Sequence, residues 1–148
     1  MTLIVLLLTQ DSKWSFGTGL GIEYARFGIN SSYSISNDFQ VLAAFAPYKI
    51  SNHFVYQLGL QIIEAESENP RFRFSVLYGR YVMIDRECNG SCDDVTTVFD
   101  GFSAGFGSFY NLYQQLKLDF SLHISISNDP FINHSQGFFV STGFRYLL

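Results

Sequence analysis

Residues 115–127 read Gln-Leu-Lys-Leu-Asp-Phe-Ser-Leu-His-Ile-Ser-Ile-Ser, with a large apolar residue at every even position and a polar or charged one at every odd position. A period of two marks a strand, because successive side chains leave a strand on opposite faces, whereas a helix repeats every 3.6 residues. The length is equally informative. Strands of soluble domains are mostly about 5–6 residues long, and a tilted strand that crosses a bilayer needs about 9–11. The stretch therefore has the length and the two-faced chemistry of a transmembrane β-strand.

The pattern recurs along the chain. Phe72, Phe74, Val76 and Tyr78 oppose Arg71, Arg73, Ser75 and Gly79 within residues 71–84. Phe138, Val140, Phe144, Tyr146 and Leu148 oppose Gly137, Ser141, Gly143 and Arg145. Phe54 to Ile62 alternates with Gln57, Gly59 and Gln61, and Phe102, Ala104, Phe106 and Tyr110 alternate with Gly101, Ser103, Gly105 and Gly107. Shorter alternating runs start at Trp14, Phe27 and Phe39. The count is eight strands and no helix. The expected fold is all-β, a closed eight-stranded antiparallel up-and-down transmembrane barrel, occupying 11–148 as one domain.

Charged residues make up 15% of the 148 residues and aromatic residues 18%. Soluble domains carry about 25% charge. A net charge of −4 and the lack of a basic stripe argue against a nucleic-acid partner. With both chain ends on the periplasmic side, the connections around Ser36-Asn-Asp38, Glu64–Asn69 and Asn111–Gln114 become short periplasmic turns. The outer connections are then Asp85–Val98, the longest, Asn128–Gln136, Pro47–His53 and the short Glu23–Arg26. A soluble ligand-binding barrel is the competing architecture. The membrane reading is preferred because Gly, Ser and Gln dominate the polar face, which suits a narrow interior better than a solvated surface. Aromatic residues also collect towards two rims: Tyr33, Phe39, Phe72, Tyr110 and Tyr146 at one, Tyr48, Phe54, Tyr78 and Phe102 at the other.

The last eight residues, Ser141-Thr-Gly-Phe-Arg-Tyr-Leu-Leu148, resemble the β-signal that ends outer-membrane barrels, with Ser141, Gly143, Tyr146 and Leu148 at its positions. Leu148 departs from the usual terminal Phe. Phe16-Gly-Thr-Gly-Leu-Gly21 and Arg73-Phe-Ser-Val-Leu-Tyr-Gly79 are similar to small bacterial outer-membrane barrel proteins with a porin-like domain. The resemblance implies a Gram-negative outer-membrane location, recognition by the barrel-assembly machinery, and contact with outer-membrane lipids and lipopolysaccharide. A monomer is expected. Residues 1–10 include the apolar run Leu3–Leu8, which reads as the remainder of a signal-like segment or as a disordered N-terminus.

Three groups of residues carry candidate chemistry. Cys88 and Cys92 are close in sequence with no neighbouring His, so in an exported protein a disulfide is a better reading than a metal site. Arg71, Arg73, Lys117, Asp119, His123 and Arg145 fall on the small-residue face, with Glu23 at one end, and form a candidate lumenal polar network. Arg80, on the apolar face, either meets lipopolysaccharide phosphates or snorkels. His123-Ile-Ser125 is similar to the His-x-Ser element of outer-membrane lipid A deacylases, which implies Ser125 as nucleophile and His123 as base. That family places Asn after the Ser and a Glu in the next strand, whereas Ile126 follows here and residues 137–148 contain no acid. The expected function is therefore a non-enzymatic barrel with a polar, side-chain-filled lumen and a structural or surface role, with no cofactor and no metal. A lipid A-modifying hydrolase using His123 and Ser125 is the alternative, and a soluble binder the second alternative.

Overall fold

The computed structural model describes residues 13–50, 52–64, 69–88, 92–127 and 137–148, with side chains throughout these except at 50, 83–88, 92–97 and 127. The strands are β1 (Trp14–Gly21), β2 (Arg26–Ser34), β3 (Phe39–Ile50), β4 (His53–Ile63), β5 (Arg71–Cys88), β6 (Cys92–Asn111), β7 (Leu116–Ser127) and β8 (Gly137–Leu147). Each pairs antiparallel with its sequence neighbours, and β1 pairs with β8 to close the barrel. Closure satisfies the main-chain groups that an open sheet would leave at its edges.

The register sets the geometry. Pairing can be followed once round the wall from Trp14 through Tyr33, Val41, Leu60, Val76, Ala104, Ile124 and Phe138. Continued from Leu20↔Thr142, the β8–β1 register brings Phe138 to the position of Tyr24, ten residues beyond the start. With about 3.3 Å per residue and about 4.8 Å between strands, that offset tilts the strands by about 40°. On this lattice Trp14, Tyr33, Phe39, Phe72, Tyr110 and Tyr146 fall within about 3 Å of one level, and Phe54, Tyr56, Phe102 and Phe138 lie about 20–25 Å further along the axis. The two rings bound a band as tall as the apolar belt of membrane barrels, about 25 Å.

Between the rings the outward positions hold Phe16, Leu20, Phe27, Leu58, Leu60, Phe74, Phe106, Leu122, Ile124 and Phe144, all well exposed. Among the described residues no outward side chain there is charged until Arg80 and Asp100 at the far rim. Those two pair at 2.9 Å through both Nε and the second guanidinium nitrogen, with the guanidinium 5.8 Å from the Tyr56 ring.

Three connections differ from the sequence reading. Pro47–His53 is not an outer loop: β3 continues to Ile50 and β4 begins at His53. Pro47 is tolerated because the β3–β4 register shifts between Phe45 and Lys49, and β2 reaches no further along β3 than Phe45, so the missing N–H breaks no ladder bond. Asp85–Val98 is not a loop either. Its charged residues hide the alternation, but the main chain pairs continuously from Val82↔Val98 to Cys88↔Cys92. Glu23–Arg26 is short because the chain folds into the barrel. The Asn128–Gln136 connection and residues 1–10 lie outside the described residues.

The lumen has two zones, not a single polar one. Towards the far rim Ile22, Ala25, Leu42, Ala44, Ala46, Val55, Leu77, Tyr81 and Phe99 form a buried apolar cluster, with Phe139 packed against it. Tyr81 stacks on Phe99 at 5.4 Å between centroids.

Candidate functional site

The β1–β2 connection builds the centre of the lumen. Gly21 adopts φ 101°, a conformation open to glycine, and turns the chain inwards. A single 3₁₀ turn, Ile22–Tyr24, follows, and Ala25 (φ 49°) and Arg26 (φ 83°) lead back to the wall in left-handed conformations. Non-glycine residues held there cost about 1–3 kcal/mol each unless surrounding contacts offset it. Those contacts are dense, because Glu23, Tyr24 and Ala25 are completely buried.

Glu23 is the hub. Its Oε1 accepts from an Arg73 guanidinium nitrogen, from Ser75 Oγ at 2.9 Å, from Gln61 Nε2 at 3.2 Å and from His123 Nε2 at 3.1 Å. Its main-chain N–H donates to Ser141 Oγ at 3.2 Å, and its carbonyl accepts from Asn30 Nδ2 at 3.0 Å. Asp119 is the second anion. It accepts from the other Arg73 guanidinium nitrogen, from Arg145 Nε at 3.0 Å and from the Tyr24 hydroxyl at 2.8 Å. Arg145 further donates to Ser32 Oγ and Gln61 Oε1, both at 3.2 Å. The Phe109 ring underlies both guanidiniums, 4.5 Å from Arg73 and 4.9 Å from Arg145. Two carboxylates thus face two arginines in a buried interior, which is the arrangement that makes a buried ion network tolerable.

Glycines make the room. A Cβ on Gly143 would lie 2.5 Å from the Tyr24 ring, one on Gly19 3.0 Å from it, and one on Gly105 would collide with the His123 imidazole. The small-residue face is therefore a mould for the inward turn and for the large wall side chains.

The structure brings Arg73, Asp119, His123 and Arg145 into one network, and places Arg71 and Lys117 nearer one mouth of the lumen, the Lys117 ammonium 5.9 Å from the same Phe109 ring. Arg71 donates through Nε and a terminal nitrogen to the Glu64 carbonyl, at 3.2 and 3.0 Å. With Lys117 it lines an open recess of about 400 Å³ at the end where β1 begins and β8 ends, beside Asn111, Tyr113 and Gln114. Between that recess and the network, Ser15, Gln40, Phe109, Arg145 and Leu147 border a gap of about 20 Å³. That is room for about one water. Glu23 was legible as an interior charge at one end, but its place at the hub was not, and Tyr24, Gln61 and Phe109 were missed. The one local hint was a connection too short to reach out from the wall, flanked by Gly19 and Gly21.

Of the terminal motif, Ser141 receives the Glu23 N–H and Gly143 faces Tyr24, both inside. Tyr146 and Leu148 face outwards; the Tyr146 hydroxyl donates to the Gln115 side-chain oxygen. His123 and Ser125 are buried at 1% and 0% exposure. A carboxylate only accepts, so the His123 nitrogen facing Glu23, Nε2, carries a proton. Ser121 Oγ lies 3.1 Å from that same nitrogen. Ser125 Oγ and His123 Nδ1 have no hydrogen-bond partner among the described residues. The serine beside His123 therefore faces its protonated nitrogen, whereas a serine nucleophile is activated by a basic one. Cys88 and Cys92 stand opposite each other in the β5–β6 ladder, and their side chains lie outside the described residues.

The barrel has a solved counterpart. It is the N-terminal β-barrel domain of OprF from Pseudomonas aeruginosa, which matches with a TM-score of 0.62 over 94% of this chain and 98% of that one. The two sequences are 12% identical, so the likeness is one of fold. No family model and no curated protein matches the sequence.

Proposed function

We propose that this chain is an integral protein of a bacterial outer membrane, an eight-stranded barrel closed by its own β1–β2 turn, with a structural or surface-interaction role and no catalytic one. The observation that carries the reading is the inverted distribution of side chains. A continuous apolar surface between two aromatic rings faces out, while Glu23, Arg73, Asp119, His123 and Arg145 are buried. Water would solvate neither arrangement well, and lipid outside with a packed lumen suits both. The OprF barrel domain and the terminal β-signal-like motif support the same reading. In this orientation the chain termini face the periplasm, the outward residues contact outer-membrane lipids and lipopolysaccharide, and the assembly machinery reads Ser141, Gly143, Tyr146 and Leu148. The lumenal ion network serves to seal and stabilise.

Expression with fractionation tests location: the chain is expected with outer membranes, migrating faster on gels when unboiled than when boiled. Recovery in the soluble fraction would refute it. Planar-bilayer recording tests sealing, with no steady conductance expected and discrete open steps contradicting it. The purified barrel is also expected to release no fatty acid from lipid A; release that Ser125→Ala abolishes would install the hydrolase reading instead.

A further inference from the structure

β5 and β6 pair without a register shift from Arg71↔Phe109 to Cys88↔Cys92. β4 parts from β5 after Gln57↔Gly79, and β7 parts from β6 after Gly101↔Ser127. At the first parting the Gln57 side chain donates to the Arg80 carbonyl at 3.0 Å, replacing the lost strand partner. From Arg80↔Asp100 to Cys88↔Cys92 the two strands continue as a ribbon, with no other described strand paired to either outer edge. Nine residues at about 3.3 Å each make it about 30 Å long. An outer edge of such a ribbon presents alternating N–H and C=O groups, a template for another strand.

The two edges differ in sequence. Val95-Thr-Thr-Val-Phe99 in β6 is five β-forming residues without Pro, charge or bulge, and so lacks the devices that usually blunt a free edge. The β5 edge is interrupted by Asp85, Arg86 and Glu87. Residues 85–94 carry Asp85, Glu87, Asp93 and Asp94 against Arg86 alone. Two copies of the chain would bring these like charges together, whereas a basic partner would be drawn in.

We propose that the β6 edge at 95–99 captures an extended segment of another protein as an added strand, the segment having a β-forming centre flanked by Lys or Arg. Main-chain pairing would supply affinity, and the acidic end of the ribbon would supply selectivity. The proposal rests on the reading that this end of the barrel faces out of the cell.

The test uses the full chain folded in zwitterionic detergent micelles and three probe peptides. The first is Lys-Lys-Val-Thr-Val-Thr-Val-Thr-Lys-Lys, the second the same peptide N-methylated at every valine and threonine so that neither edge can donate, and the third has Glu in place of Lys. Amide hydrogen exchange is read by NMR across the ribbon. The first peptide is expected to slow exchange at alternate residues of 95–99 at least tenfold. The N-methylated peptide is expected to leave exchange unchanged, and the Glu peptide to bind at least tenfold more weakly at low salt. No slowing with the first peptide would overturn the proposal. Equal slowing by the N-methylated peptide would show adsorption instead of strand pairing, and equal binding of the Glu peptide would remove the basic partner. Protection confined to 82–88 would overturn the assignment to β6, and concentration-dependent self-association without peptide would make a second copy the occupant. Because these readings are taken in detergent, their failure leaves the fractionation and conductance results standing.

Discussion

Replacing Glu23 by Gln keeps the shape of the side chain and removes the charge on which the lumen converges. In the folded barrel that carboxylate faces Arg73, His123 and, at 3.6 Å, Arg145. Without it Asp119 alone must compensate both arginines, each almost fully buried. Removing one member of a buried ion pair costs about 3–5 kcal/mol, because the partner stays desolvated and unpaired. The substitution is expected to destabilise the barrel by about that amount. Glu23→Gln combined with Arg73→Gln removes both charges, and is expected to be less damaging than the sum of the single changes, with a coupling of about 2–3 kcal/mol. Reversible urea unfolding in phospholipid vesicles measures this. The protein contains one tryptophan, Trp14, which faces outwards in the aromatic ring nearest the chain termini, so its fluorescence reports leaving the bilayer. If Glu23→Gln lies within about 0.5 kcal/mol of the parent, or the double cycle shows no coupling, the turn is not held in the lumen by this network and the sealing argument fails.

Gly143→Ala places a methyl group 2.5 Å from the Tyr24 ring and 2.6 Å from the Thr18 carbonyl oxygen. It is expected to cost about 1–3 kcal/mol in the same unfolding assay, since the overpacked turn cannot withdraw without leaving its ion pairs. Changing Tyr146 and Leu148 together to Ser is expected to lower outer-membrane levels more than two Ser substitutions in the β5–β6 ribbon, measured by quantitative blotting of fractionated cells. Equal levels would remove the assembly role assigned to the terminal strand. For exported protein, non-reducing peptide mass mapping is expected to find Cys88 joined to Cys92, with free thiols at both positions as the contrary result.

The strand inventory, the facing of each side chain and the closed barrel could be read from the sequence because they rest on local facts. Alternation in residues 115–127 decides which side of β7 faces out of the barrel, whatever the rest of the chain does. Where alternation is overlaid by charge or Pro, as in 85–98 and 47–50, strand and loop look alike, and cross-strand pairing settled the matter. The interior was decided collectively. Glu23 meets Arg73, Ser75 and His123, residues 50 or more positions away, because closing the sheet turns strands distant in sequence towards the same lumen, where the ten-residue offset sets each depth and the long Arg73 side chain spans the difference. That offset belongs to the closed sheet and to no segment of it. The inward course of the β1–β2 turn follows from the same cause: a short connection folds into the lumen only where Gly19, Gly105 and Gly143, from three different strands, leave space that Tyr24 and His123 can fill. Periodicity in one strand encodes which side faces outwards, whereas depth and partnership inside the barrel come from the register among all eight.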